Sequence, residues 1–70
     1  MNTMHRYVIE YGDRDGSAKI VIGRWRCRAY DLDHALEKFY DSDEGFTAFR
    51  IARIPEGLET LPHRWHWIAL

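Results

Sequence analysis

The sequence predicts an α+β domain: a single antiparallel four-stranded sheet with one amphipathic helix packed on one face, in the order ββαββ. Three observations predict it. Apolar and polar side chains alternate over 6–11 and again over 63–70, the spacing changes to a helical period between Leu32 and Phe39, and β-branched and aromatic residues return after Gly45. A chain of 70 residues has room for one core, so 1–70 is read as a single domain.

In strand one, 6–11, Tyr7, Ile9 and Tyr11 fall on one side and Arg6, Val8 and Glu10 on the other. Gly12-Asp13-Arg14-Asp15-Gly16-Ser17 is dense in residues that tolerate turn dihedrals, and is expected to close a hairpin as an exposed loop. Strand two follows over 18–30, with Gly23 marking a bulge or bend. In the helix, Leu32, Ala35, Leu36 and Phe39 fall at i, i+3, i+4 and i+7, while Asp33, His34, Glu37, Lys38 and Asp41 take the opposite face. Asp31 suits the N-cap, Asp33 the positive end of the helix dipole, and Gly45 the stop. Strand three covers 46–54, with Phe49 and Ile51 facing one way, and Pro55-Glu56-Gly57 ends it. In strand four, 63–70, Trp65, Trp67 and Ala69 alternate with Arg64, His66, Ile68 and Leu70.

Placing the helix stripe against the sheet gives an expected core of Tyr7, Ile9, Trp25, Cys27, Leu32, Leu36, Phe39, Phe49 and Ile51. The other parity leaves Val8, Ile20, Ile22, Ile54, Ile68 and Leu70 as a second apolar set with no obvious cover. A partner or a second copy of the chain is its natural occupant, unless bulges change the parity.

Three Trp, four Tyr and three Phe within a 46% apolar composition supply the burial that a disordered chain lacks. A formal charge of -1 excludes a whole-molecule field of the kind that draws nucleic acid or anionic membranes, so electrostatic recognition must rest on local patches. The one cysteine rules out an internal disulfide and points to a reducing, cytoplasmic setting. The N-terminal residues show no signal-peptide pattern, and no apolar run approaches the roughly 20 residues of a membrane span.

Nothing in the pattern calls for catalysis, a metal or a cofactor. Cys27 with His34 is the one thiol and imidazole pairing, and strand parity directs Cys27 into the core as an inert thiol. His63 and His66 are three apart on a strand, which sends them to opposite faces, and no further Cys or His pair completes a tetrahedral zinc set. The chain is therefore read as a binding module.

Two charged surfaces compete for that role. Asp33, Glu37 and Asp41 form an acidic stripe at i, i+4 and i+8, extended by Asp43 and Glu44. Like charges at that spacing repel, so the stripe does not serve helix stability, and it suits a basic groove on a protein partner. Arg24, Arg26 and Arg28 project from one face of strand two, with Arg50 a candidate addition. Beside Tyr30 and an aromatic fourth strand they have the ingredients of an RNA or single-stranded DNA platform, where arginines track phosphates and rings stack on bases. Trp65 and Trp67 share a strand face and are candidate aromatic contacts if that face is not core.

The stretch from Arg26 through Tyr30, Asp31 and Leu36 to Phe39, followed by Phe49-Arg50-Ile51-Ala52-Arg53-Ile54, resembles the strand, helix, strand pattern of small phage and mobile-element proteins. Some anti-CRISPR inhibitors share the whole layout. A ribosomal protein family of archaea and eukaryotes has a similar pattern but is usually strongly basic, which this chain is not. The first resemblance implies a viral inhibitor that occupies a surface of a nucleic-acid-handling complex. The expectations are thus a protein-binding inhibitor with the acidic stripe as its contact, direct RNA or single-stranded DNA binding as the alternative, and a homo-oligomeric structural protein, most simply a homodimer, as the third.

Overall fold

The structure is a computed structural model that describes residues 3–42 and 45–70. In chain order the elements are β1 (His5–Asp15), β2 (Ala18–Ala29), α1 (Leu32–Ser42), β3 (Thr47–Ile54), a 3-10 turn (Pro62–Arg64) and β4 (His66–Ala69). The four strands form one sheet in the order β2-β1-β3-β4, every neighbour antiparallel, with one helix, as the α+β pattern predicts.

The hairpin is longer and tighter than the expected 12–17 loop. β1 continues to Asp15, and Gly16-Ser17 alone join it to β2, Asp15 facing Ala18. Gly12 allows this: a Cβ there would run into the carbonyl oxygen of Ile20 on the partner strand. Gly16 turns the chain with φ +62°, and Ser17, like every other non-glycine among the described residues, has no positive φ, which fits a type II′ hairpin.

Two register shifts meet on β1. Tyr11 pairs with Gly23 and Gly12 with Val21, leaving Ile22 extra, close to the bend predicted at Gly23. On the other side Glu10 pairs with Arg50 and Tyr11 with Ala48, leaving Phe49 extra. This second bulge moves Phe49 out of the core in which parity had placed it. Ala48 takes the place under the helix, and Phe49 is buried on the opposite face.

α1 buries Ala35 and Phe39 against Tyr7, Ile9, Ala29, Ala48 and Ile51, with Trp25, Cys27, Leu32 and Leu36 packed around them. Phe39 is its centre, meeting Tyr11 at 5.4 Å and Trp25 at 5.7 Å between ring centroids. Asp31 caps the helix as expected, its Oδ1 accepting a bond from the His34 N–H at 2.8 Å.

The opposite face also has a core, which corrects the reading of an uncovered apolar set. After Pro55 the chain steps through turns closed by Leu58 N–H to Pro55 carbonyl and Leu61 N–H to Leu58 carbonyl, then folds back across the sheet. Trp65 and Leu58 cover Val8, Ala52 and Ile54, and the Trp65 Nε1–H donates to the Leu58 carbonyl at 2.7 Å. Ile20, Ile22, Ile68 and Leu70 do remain exposed. Strand four is shorter than 63–70, because Pro62 starts a 3-10 turn that takes in His63 and Arg64.

Candidate functional site

The strand register fixes which side chains share the face opposite α1. One row across the sheet is Arg28, Arg6 and Ile54; the next is Arg26, Val8, Ala52 and Trp67; the third is Arg24, Glu10, Arg50 and Ala69. Beyond the bulges Arg14 pairs with Lys19, and both lie over the Phe49 ring, at 5.5 and 5.6 Å. Of the ten lysines and arginines, seven therefore stand on this face: Arg6, Arg14, Lys19, Arg24, Arg26, Arg28 and Arg50. The sequence-predicted set Arg24, Arg26, Arg28 and Arg50 is brought together there, beside Trp65 and Trp67.

The guanidinium groups are held by rings and one carboxylate. Arg50 binds Glu10 through two donors, Nε to Oε1 and Nη2 to Oε2, each at 3.0 Å, and Arg24 adds Nε to Oε2 at 3.2 Å. Donation from Arg50 holds the Glu10 carboxyl below its usual range, with Arg24 assisting against the opposing effect of burial. Arg50 and Arg24 also lie over Trp67, 4.0 and 5.1 Å from the ring centroid, and Arg26 lies over Trp65 at 5.8 Å. The two indoles meet at 5.9 Å. Trp65 is thus core, while Trp67 is half-buried under arginines.

At the other end of the face charge is less balanced. Arg6 and Arg28 are direct cross-strand neighbours, a like-charge pairing that opposes folding. Among the described residues Arg6 meets one carboxylate, Glu59 at 3.6 Å, and neither Arg26 nor Arg28 has an ion-pair partner. The Glu59 carboxylate is tied to its turn by the Gly57 N–H at 3.2 Å. Backbone N–H groups, its own first and then that of Gly57, hold its pKa below the usual range. A concave site of about 320 Å³ opens here, lined by Arg6, Arg26, Arg28, Ile54 and Glu59 among others. It adjoins a second of about 380 Å³ that adds His5, Arg53 and Glu56.

The acidic stripe lies on the other side of the molecule. Asp33, Glu37 and Asp41 are exposed on α1, away from its buried residues, and no ion pair engages them among the described residues. Asp43 and Glu44 lie outside the described residues. The near-zero total charge is therefore the sum of a basic sheet face and an acidic helix face. Even the shortest dimension of the Cα trace, 15 Å, exceeds the Debye length of about 10 Å at 0.1 M salt, so each face presents its own field.

The thiol and imidazole do not form a pair. Burial pushes the Cys27 thiol up, partly offset by Lys38, while His34 Nδ1 accepts the Tyr30 N–H at 3.1 Å and the ring stacks on Tyr30. Among the described residues no cluster of three His, Cys, Asp or Glu is placed to hold a metal ion, and no helix is long and apolar enough to cross a membrane.

Sequence reasoning missed Arg6, Arg14 and Lys19. Arg6 was legible, since it shares parity with Glu10. Arg14 and Lys19 were not: Arg14 falls in the stretch expected to be loop, and Lys19 is out of step with Arg24, Arg26 and Arg28 until the extra Ile22 is placed. Comparison of the chain with protein-family models, with curated proteins and with solved structures gives no match.

Proposed function

We propose that this chain is a non-enzymatic module that binds single-stranded nucleic acid through the arginine and tryptophan face of its sheet. The observation that carries the reading is the segregation of seven of the ten cations onto one face, interleaved with Phe49, Trp65 and Trp67. Cations in rows serve a polyanion, and guanidinium planes beside rings offer stacking to unpaired bases. Arg6 to Arg14 on β1 spans about 26 Å at roughly 3.3 Å per residue, long enough to follow several nucleotides. Titration of a labelled oligonucleotide tests it: affinity falls steeply with salt and is lost on changing Arg24, Arg26 and Arg28 together to Ala. Absence of binding to any single-stranded probe at low salt overturns it.

A second reading rests on the exposed Asp33, Glu37 and Asp41, which have no ion-pair partner among the described residues. These suit a basic groove on a protein, and with the phage-protein layout they support an anti-CRISPR-like inhibitor of a nucleic-acid-handling complex. Capture of such a complex by the native chain, lost when the three are reversed to Lys, is its test. The free thiol of Cys27 fits a cytoplasmic setting. The exposed Ile20 and Ile22 on the β2 edge would serve a homodimer, and light scattering distinguishes it.

A further inference from the structure

The arginine face is neutralised at its centre and under-neutralised at one end. Glu10 satisfies Arg24 and Arg50 between them. At the end, Arg6 and Arg28 face each other across the β1–β2 ladder, Arg26 stands in the next row, and among the described residues the one carboxylate within ion-pair reach is Glu59. Folding brings these three cations around a concave site of about 320 Å³, lined also by Tyr7, Cys27, Ile54 and Glu59. Placing like charges directly opposite each other destabilises a strand pair, so the arrangement gains its value when an anion sits between them.

The surroundings discriminate between kinds of anion. Glu56 and Glu59 line the adjoining concavity, and Glu59 is anchored by the Gly57 N–H. A phosphodiester chain running through the site would pass both carboxylates, with Arg53 of the same concavity to offset them only in part. A chain that ends in the site would not. A terminal phosphate also carries about −1.5 to −2 charges at pH 7, against one for a diester, a better match to three guanidinium groups opposed by one paired carboxylate. We propose that the pocket between Arg6, Arg26 and Arg28 holds a phosphate monoester, the terminal phosphate of the bound strand. This rests on the nucleic-acid reading above for the source of the phosphate. The pocket's preference for a dianionic monoester stands on its own geometry.

The test uses the full chain and a single-stranded oligonucleotide of about a dozen nucleotides in three forms: 5′-phosphorylated, 3′-phosphorylated and with hydroxyl at both ends. Each carries a dye at an internal base, and binding is read by fluorescence anisotropy. One phosphorylated form is expected to bind about tenfold more tightly than the hydroxyl form, with the preference shrinking as pH drops below the second phosphate pKa of about 6. Arg28→Gln is expected to weaken the phosphorylated form about tenfold more than the hydroxyl form, so that the preference is erased whatever the variant's overall affinity. Its fold is checked by circular dichroism, and Arg28→Lys, which keeps the charge, retains part of the preference. In parallel, inorganic phosphate and a phosphorylated serine peptide are titrated while Arg Nε–H signals are followed by NMR. Equal affinity for all three oligonucleotides overturns the terminal-phosphate pocket and leaves the wider nucleic-acid reading standing. If no oligonucleotide binds but phosphate or the phosphopeptide shifts the Arg6 and Arg28 signals, the pocket stands and the nucleic-acid source falls. Silence in both arms overturns both.

Discussion

Replacing Glu10 by Gln should move stability and binding in opposite directions. In the native chain this carboxylate accepts three charge-assisted bonds, two from Arg50 and one from Arg24, with its side chain 13% exposed and each arginine 39% exposed. Hydrogen bonds to charged groups contribute about 1.5–3 kcal/mol each when sheltered, and exposed ion pairs about 0–1, so the half-exposed arginines put the loss near 2 kcal/mol. A 70-residue domain has about 4–10 kcal/mol in total, so the variant stays folded at 25 °C. Its Tm drops by about 8–16 °C, at about 4–8 °C per kcal/mol. Binding should strengthen, because two guanidinium groups are released towards the ligand and a repelling charge is removed. For single strands each added phosphate contact steepens the slope of log K against log salt by about 0.7, so two contacts add about 1.4. Acid supplies an internal check. The folded pKa of Glu10 lies below its ordinary 4.5, so its contribution is complete above that value and is lost as pH falls through the folded pKa. The stability gap between native chain and variant therefore closes below about pH 4.5. Urea denaturation across pH measures the first effect and anisotropy at several salt concentrations the second. A folded variant with weaker binding and an unchanged salt slope would refute the assignment of this face to the ligand.

Truncating Trp65 to Ala removes the lid from Val8, Ala52 and Ile54 and should cost about 3–5 kcal/mol, a large share of the domain's stability. Trp65→Phe keeps the ring but leaves the Leu58 carbonyl without its donor, so denaturation should show a smaller loss of about 1–3 kcal/mol. Asp31→Ala deletes the bond to the His34 N–H and should lower the urea midpoint by the equivalent of about 1 kcal/mol. Reversing Asp33, Glu37 and Asp41 to Lys should leave the circular dichroism spectrum intact and oligonucleotide affinity undiminished, while abolishing capture of any basic protein partner; loss of oligonucleotide binding would show that the helix side is the ligand surface after all.

The helix and its packing were legible because their signal is local: four apolar residues at helical spacing with an aspartate cap specify both the element and its buried side. Strand parity carried the face assignments of Tyr7, Ile9, Arg24, Arg26 and Arg28, since a period of two needs no knowledge of the partner strand. It failed at Phe49. One extra residue in β3 reverses everything counted through it, and whether a residue is extra depends on the pairing with Glu10 and Tyr11, forty positions away. The cover over Val8 and Ile54 was hidden for a related reason. Pro55-Glu56-Gly57 reads as the end of strand three and Trp65 as part of strand four, and only the bond from Trp65 to the Leu58 carbonyl makes the chain between them a lid. The gathering of arginines was legible one strand at a time, but the opposition of Arg6 and Arg28 exists only once the hairpin register is set.

Beyond Gly12 no third strand flanks the hairpin among the described residues. β3 pairs with β1 only as far as Thr47 opposite Gly12, so Asp13 to Asp15 and Ala18 to Ile20 continue as a two-stranded ribbon past the edge of the four-stranded body. Such a ribbon is marginal alone, held here by Arg14 and Lys19 resting on Phe49 at its root. Its amides should exchange with solvent through local opening well before those of Val8 or Ile51, making the ribbon an arm hinged at a double bulge. Opening of this kind lifts Arg14 and Lys19 from the Phe49 ring together, so exposure of that ring and exchange of the ribbon amides should be a single event.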